Sequence, residues 1–499
     1  MSGSISFSQI PPNIRIPLVS VEFDNTQAGV NQQNQVSLLI GQTITAQPAA
    51  PVLIASPQQA ESLFGTGSIL ARMAVQYIAN DSFGTLWCLP LADDPGAVAA
   101  TGSISITGTA SAAGSLALYI GGQNVPVAVN AGDTAATIAA NVVTALDAVP
   151  TLPVSAAAAA GVVTLTALNK GTLGNFIDTE LNYFGLANNE QTPAGITVAV
   201  TPIAGGATDP SLTGVAAILG DTPYDFICSP YTGAAATTAL TAMMNNTAGR
   251  WSPERLIYGH VWSAAVGTEA ALETLGASLN DPHLTIFGYE GGPTPPWEWA
   301  AAHIGAIAPA SRADPARPNQ TLQVTGVLPP LAANRMTKTQ WQTLLSGGIA
   351  VSSYGQGGTV AVLRSVTTYQ VNQFGQPDQS YLDAEMLYTL MAITRQLTAA
   401  ITQKYPRSKL ADNGTPFAAG QAVVTPNILQ AEIVAQYADM ELNGLVEDAS
   451  AMAAATIVQR DATDPNRVDV LWAPFLIGGL RVVALKNQFR LVSALTAIQ

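Results

Sequence analysis

The chain has 499 residues, of which 48% are hydrophobic and only 10% are charged, and its formal net charge is −14. The acidic balance disfavours a nucleic-acid-binding protein, because there is no excess of basic residues to neutralise phosphates. A surface of small uncharged side chains costs little free energy to desolvate, which is typical of a subunit surrounded by partners, although an alanine-rich soluble enzyme has the same composition. At this length, the sequence predicts two to four domains.

Signals for export and membrane insertion are not found in the sequence. The first 24 residues lack the basic region and apolar run of a secretory signal. The longest charge-free stretch, 95–132, is rich in glycine, serine and threonine and alternates with a period of two, so it predicts strands and not a membrane span. Cys88 and Cys228 lie in separate apolar runs and are predicted to be buried thiols in a reducing compartment.

Residues 1–24 are predicted to form an extended N-terminal arm. Three prolines between residues 11 and 17 exclude a helix there, because proline fixes its own backbone dihedral and restricts the residue before it. Val19, Val21 and Phe23 then alternate with polar residues, which indicates a short half-buried strand. A strand in a terminal arm needs a sheet to join.

The next region, 25–97, has the pattern of an α/β domain. A strand at 36–41, a helix at 60–79 and a strand at 86–89 follow one another. The sequence then changes to short alternating runs of glycine, threonine, serine and alanine, so 98–205 is predicted to be an inserted β-rich domain that contains one helix.

The α/β pattern resumes over 206–327, which completes a discontinuous domain. Three apolar runs predict buried parallel strands, at 224–228, 256–261 and 284–289. The proline-rich run 292–318 is predicted to be a loop.

The following region, 328–479, is predicted to be a C-terminal domain with a strand pair at 348–354 and 358–369. Apolar residues at steps of three and four then predict a helix with one buried face, and a cap followed by proline predicts the start of a second. These helices are predicted at 382–401 and from Thr425 in pieces to Val458.

The end of the chain, 480–499, is predicted to be a C-terminal arm, and the whole run 468–491 looks strand-like. Apolar side chains fall on one face of the last strand and polar ones on the other, with a local positive charge that favours an acidic neighbour. An ordinary edge strand that carries lysine and arginine to block aggregation has the same pattern. The apolar face has Val483, Leu485, Phe489 and Leu491, and the polar face has Lys486, Gln488 and Arg490.

No pattern of side chains predicts catalysis, a metal or a cofactor. His260, His283 and His303 are scattered over separate elements without a second ligand at metal spacing. The acidic pairs at 93–94 and 447–448 are interpreted as surface residues, and the glycine-rich turn at 64–68 as the entry to a helix and not as a nucleotide loop.

Several motifs resemble a known family. The run Asp464-Pro465-Asn466-Arg467-Val468-Asp469-Val470-Leu471, with Leu480-Arg481-Val482 and Gln488-Phe489-Arg490-Leu491, is similar to the end of Mu-like phage tail sheath proteins. Segments near the N terminus, at 10–11, 21–25, 39–42 and 59–68, resemble the same family. Residues 363–369, with Asp378 and 380–383, are similar to the C-terminal sheath domain of contractile systems. The resemblance is weakest in 98–205, and 473–479 is more apolar and glycine-rich than the family pattern.

The resemblance implies a structural subunit of a contractile tail sheath and not an enzyme. Such subunits form hexameric rings in a helical lattice around the tail tube protein, together with baseplate and tail terminator proteins. They contract to drive the tube through the host envelope for genome ejection. The expected location is the virion tail, after assembly in the bacterial cytoplasm. No cofactor, direct nucleic-acid contact or membrane insertion is expected. Alternatives are a tailocin or another contractile injection system, an α/β enzyme, or a secreted adhesin that would need an export signal.

The fold implied is a multidomain α/β and α+β protein, with an α/β sheath core, an inserted β-rich domain and extended terminal arms that add strands to neighbouring subunits. Three sets of residues are then expected at contacts between subunits. They are the N-terminal arm residues Ile14, Ile16, Val19, Val21 and Phe23, the C-terminal arm residues Arg481, Val483, Leu485, Lys486, Phe489 and Leu491, and the shared-sheet residues Arg364, Thr367, Thr368 and Tyr369.

Overall fold

The structure is a computed structural model that describes residues 35–489. Strands occur along the whole described chain: β1 (Ser37–Gln42), β2 (Val52–Ile54), β3 (Leu86–Leu91), β4 (Thr101–Gly108), β5 (Gly114–Ile120), β6 (Gln123–Val129), β7 (Val154–Ala159), β8 (Val162–Ala167), β9 (Thr179–Leu181), β10 (Ile196–Ala204), β11 (Phe226–Cys228), β12 (His260–Val266), β13 (Leu284–Tyr289), β14 (Gln323–Val324), β15 (Val351–Tyr354), β16 (Val360–Arg364), β17 (Lys409–Leu410), β18 (Val423–Val424), β19 (Val446–Glu447), β20 (Ile457–Arg460), β21 (Val468–Leu471) and β22 (Phe475–Leu476).

The α-helices alternate with these strands: α1 (Pro57–Phe64), α2 (Ile69–Asn80), α3 (Ala135–Asp147), α4 (Val215–Leu219), α5 (Ala234–Met244), α6 (Glu269–Ala277), α7 (Pro296–Ala313), α8 (Lys338–Ser346), α9 (Ala384–Lys404), α10 (Pro426–Leu442) and α11 (Ala449–Ala455). None of the helices in the described chain is long and apolar enough to cross a membrane.

A six-stranded sheet forms the centre of the α/β region, in the order β13-β12-β11-β1-β3-β2. All its pairings are parallel except that of β2 with β3. Every residue of β1 and β13 is buried, as expected for parallel strands covered on both faces by helices. The sheet contains strands from both halves of the predicted discontinuous domain, 25–97 and 206–327. These halves are far apart in sequence but adjacent in the fold.

Residues 101–204 build two smaller sheets that flank α3. One has the order β10-β4-β8-β7 and the other β6-β5-β9. Within the described chain, these strands pair only with one another, and a bridge between Val98 and Ala207 closes the base of the segment. The exact domain boundaries at 98 and 205 stay a prediction.

The proline-rich segment 292–318 was wrongly predicted to be a loop, because it contains the 18-residue helix α7. Pro296 occupies the first turn, where its missing N–H is not needed and its fixed dihedral suits a helix. The helix is buried on nearly all sides, with Trp297 and Trp299 fully inaccessible. Tertiary burial therefore outweighs the local signal of the prolines.

Two other predicted elements differ in extent. The strand predicted at 256–261 begins only at His260, because Leu256 and Tyr258 adopt positive φ values of 52° and 55°, which a strand does not permit. The helix predicted at 60–79 is two helices, since the chain turns at Gly65 and Gly67, and Ser68 then caps α2.

The predicted C-terminal elements are also shorter than expected. Helical structure ends at Ala455, where β20 follows, and β16 ends at Arg364 instead of Tyr369. In the last region only β21 and β22 are strands, and 477–489 has no strand at all. A strand requires a hydrogen-bonded neighbour, and the one backbone–backbone hydrogen bond of this segment in the described subunit joins the Ile477 amide to the Leu445 carbonyl at 3.3 Å.

Two hydrophobic cores are present in the described chain. The larger one is continuous from the central sheet into the β-rich segment and the β15–β16 pair. The smaller one lies between α9, α10 and α11 and includes Ile393, Ile433 and Tyr437. Helix α9 contributes its first turns to the larger core and its later turns to the smaller one, so it joins the C-terminal helices to the body.

Candidate assembly surface

The most unusual surface of the described subunit is its C-terminal end, residues 478–489, here called the tail. After β22 the chain continues without secondary structure. Its apolar side chains are between 71% and 86% exposed, although they are the size of core residues: Leu480, Val482, Val483, Leu485 and Phe489. Large apolar patches that remain exposed are a common feature of surfaces that bind a partner. Of the predicted C-terminal arm residues, Leu491 lies outside the described residues.

One arginine ties the start of the tail to the body. The Arg481 Nη2 atom lies 3.2 Å from Glu385 Oε1 and 3.6 Å from Asp383 Oδ1. Its side chain is only 15% exposed. Arg364, at the end of β16, donates to both oxygens of Asp383, at 2.8 and 2.9 Å. The structure therefore brings together two predicted residues, Arg364 and Arg481, around two carboxylates at the start of α9.

Asp383 and Glu385 were not predicted as site residues. Asp383 precedes α9, and Glu385 lies in its first turn, where acidic residues are favoured by the helix dipole. Glu385 is almost fully buried, and its Oε1 accepts hydrogen bonds from the Asn319 amide at 2.7 Å and from the Ser365 hydroxyl at 3.0 Å. The sequence did contain a signal for Glu385, which is an acidic residue on the buried face of an amphipathic helix. A buried carboxylate needs a cation nearby, so this position could have been predicted to form an ion pair.

The other shared-sheet candidates are bonded inside the subunit. The Thr367 amide donates to Leu382 O, and the Thr368 amide donates to Leu284 O, both at 2.8 Å. The hydroxyl of Tyr369 donates to Asp378 at 2.7 Å. These bonds join the chain after β16 to β13 and to the turn before α9. Whether the residues also contribute to a sheet between subunits stays a prediction.

All predicted residues of the N-terminal arm lie outside the described residues. They are Ile14, Ile16, Val19, Val21 and Phe23. Their role stays a prediction.

The histidines and cysteines are buried among core residues. The Nδ1 atom of His303 donates to Trp299 O, so its Nε2 accepts from the Ser352 hydroxyl, both at 2.7 Å. Burial lowers the pKa of His303 to about 4, so this ring is neutral. Burial also raises the pKa of the thiols of Cys88 and Cys228, which lie on either side of Leu39 in the central sheet. Within residues 35–489, no group of side chains could hold a metal ion.

The acidic pairs and the glycine turn have structural roles. Asp93 is half-buried and accepts from Gln42 Nε2 at 2.6 Å and from the Lys170 amide at 3.0 Å, so it is not simply a surface residue. Asp448 caps α11. In the turn at 64–68, the Ser68 hydroxyl accepts from the Ala71 amide, which agrees with the predicted entry to a helix.

A second buried ion pair lies where the β-rich segment meets the α/β body. Arg72 Nε on α2 is 2.5 Å from Glu298 Oε1 on α7, and both side chains are at most 7% exposed. The same guanidinium donates to Gln123 Oε1 at 2.9 Å and to the Thr151 carbonyl at 2.5 Å. One arginine thus joins two helices of the body to the start of β6 and to the turn before β7 in the β-rich segment.

Comparisons with known proteins agree with this description. The phage tail sheath protein central domain matches residues 205–368, and the phage tail sheath C-terminal domain matches residues 376–490. A curated relative, the Mu-like prophage FluMu tail sheath protein of Haemophilus influenzae, is 36% identical over 491 residues, or 97% of this chain and 99% of the relative.

Solved structures resemble the chain less closely. A sheath tail protein from Listeria innocua is 12% identical, with a TM-score of 0.46 and coverage of 89% of this chain and 92% of that chain. A chain of the anti-feeding prophage baseplate has a TM-score of 0.48 and 12% identity, and covers 96% of this chain and 99% of its own length. On the family models and the near full-length relative, the chain belongs to the phage tail sheath protein family.

Proposed function

We propose that the subunit polymerises through its terminal arms into hexameric rings that stack helically around a tail tube, attached to a baseplate and closed by a terminator. The observation that carries this proposal is the tail, which exposes five large apolar side chains and has no partner strand in the described subunit. An extended segment of this kind suits strand addition to a sheet of another copy, where backbone hydrogen bonds supply affinity.

The geometry of such a contact favours a long tube. The tail of one subunit would meet a different surface on the next subunit, which is a heterologous contact, and such contacts propagate instead of closing between two copies. The predicted N-terminal arm would add a second strand to the same sheet. The β-rich segment at 98–205 would face outward, where an insertion disturbs the lattice least.

Contraction then requires no cofactor or catalytic site. The extended lattice would form on the tube as a kinetically trapped state, and the contracted lattice would bury more surface, so the free energy is stored at assembly. Released by a trigger, the sheath would drive the tube through the host envelope for genome ejection. The sheath of a tailocin or another contractile injection system would work in the same way. Membership of the tail sheath family supports a structural role over an enzymatic one.

The proposal is tested by removing the end of the tail. A chain truncated after Leu485 should stay folded and soluble but fail to form tubes in negative-stain electron microscopy, because the strand that joins another copy is incomplete. A matched chain in which 486–499 is replaced by a glycine and serine sequence of equal length should also fail. Normal sheaths from either chain would refute the proposed role of the tail.

A further inference from the structure

We infer that Arg481 holds residues 478–481, here called the root of the tail, against its own subunit. This contact, here called the latch, leaves only the residues after Arg481 free to join a second copy. The inference deepens the proposed function and depends on it only for the destination of the tail. The latch itself is a contact within one subunit and is testable without assembly.

The contacts of the tail change abruptly at this arginine. Gln320 Nε2 donates to the Leu480 carbonyl at 3.0 Å, and Arg481 reaches Glu385 and Asp383. From Val482 to Phe489, no hydrogen bond or ion pair with the rest of the described chain is formed. The tail is therefore bonded to the body up to Arg481, and its free part begins at Val482.

The charge balance makes this contact more than an incidental surface pair. Asp383 already has a cation, because Arg364 binds both of its oxygens. For Glu385, Arg481 is the only cation within 4.0 Å among the described residues. When the tail lifts away, a nearly buried carboxylate is left without a counter-charge, which is unfavourable. Glu385 therefore holds the root of the tail in place.

The latch is also built so that it can open. Leu476 to Gly479 cross the start of α9 and leave a cavity of about 300 Å³, lined by Glu385 and Arg481 themselves. Glu385 Oε2 and Arg481 Nη1 are buried but have no hydrogen-bond partner in the described chain. A cavity of this size, lined by both polar and apolar side chains, admits water, which can replace the lost contacts as the pair separates. The contact is therefore easier to break than a dry ion pair.

One glycine, Gly479, brings the arginine to its site. A Cβ atom on Gly479 would lie 2.7 Å from Pro318 Cγ, so only glycine permits the chain to pass this close to the body. A Cβ atom on Gly478 would meet nothing within 4 Å. This explains one of the two glycines in the run 473–479, because the close approach at Gly479 places Arg481 next to Glu385.

Limited trypsin digestion of unassembled subunits tests the latch, since trypsin cleaves after both Arg481 and Lys486. In the wild-type chain, mass spectrometry should show initial cleavage after Lys486 about tenfold faster than after Arg481, because the anchored root resists local opening. E385Q keeps the hydrogen-bond acceptor for Asn319 but removes the charge, and should raise cleavage after Arg481 about fivefold or more. D439N, at an exposed carboxylate away from the tail, should leave both rates unchanged.

A second pair of variants separates the latch from a folding defect. Chymotryptic cleavage after Leu480 should become about fivefold faster in R481Q and stay unchanged in K486Q, which removes an exposed charge of the free part. Equal wild-type tryptic cleavage at the two sites, or equal cleavage after Leu480 in the two variants, would overturn the inference. Either result leaves the truncation test of assembly standing, so the two proposals fail separately.

Discussion

The buried pair of Arg72 and Glu298 makes a quantitative prediction about how the β-rich segment is attached. In R72M, the carboxylate of Glu298 loses the cation 2.5 Å away while it remains 3% exposed. Breaking a buried pair by removing one partner costs about 3–5 kcal/mol. At about 2 °C per kcal/mol for a unit of this size, the melting temperature should fall by about 6–10 °C.

The double variant R72M/E298Q distinguishes a coupled pair from two separate losses. It replaces the stranded charge with a neutral amide, so it should be more stable than the sum of the single variants predicts, by about 2 kcal/mol. Part of the loss should persist, because the carbonyl of Thr151 in the β-rich segment no longer receives its hydrogen bond.

Thermal unfolding of the wild-type, single and double variants, followed by circular dichroism, measures these values. D221N provides the control, because Asp221 is 83% exposed in its pair with Arg255, and exposed pairs contribute less than about 1 kcal/mol. Strictly additive losses in the double variant, or a fall of less than about 2 °C in R72M, would refute the view that this pair clamps the segment to the body.

Two further predictions concern acid stability and the root of the tail. Burial lowers the pKa of His303 to about 4, which is below its value in the unfolded chain. The neutral ring therefore contributes fully to the free energy of unfolding above about pH 6.5, and this contribution falls as the pH drops toward 4. Between pH 7.5 and 5.5, the free energy of unfolding measured in urea should therefore fall by about 1.3 kcal/mol less in H303Q than in the wild type. The same dependence of this free energy on pH in both proteins would contradict the prediction. G479A should accelerate tryptic cleavage after Arg481 severalfold, whereas G478A should not, because only the first places a Cβ atom against Pro318; equal rates would argue against the close approach.

Local signals in the sequence were sufficient to predict where several helices and strands lie. The cap at Thr425, followed by proline, predicted the start of α10, and the side chain of Thr425 accepts from the Ile428 amide as expected. The apolar runs at 284–289 and 224–228 predicted buried strands, and both lie in the central sheet. The motifs at the end of the chain pointed to the tail sheath family, which the curated relative confirms.

Other features depended on contacts between residues far apart in the chain. Helix α7 contradicts its proline-rich sequence because burial against the central sheet and α2 stabilises it. Composition could not reveal that Glu385 needs Arg481, since 96 positions separate them and only the fold brings them within 3.2 Å.

The sequence by itself determined the family, the α/β character and the amphipathic pattern of the tail, because these follow from residue types and their spacing. Only the tertiary structure decided which part of the tail is anchored and which is exposed. That division depends on the burial of one carboxylate at the start of α9 and on the close approach at Gly479. Burial and charge compensation are properties of packed neighbours, and a linear sequence does not specify these directly.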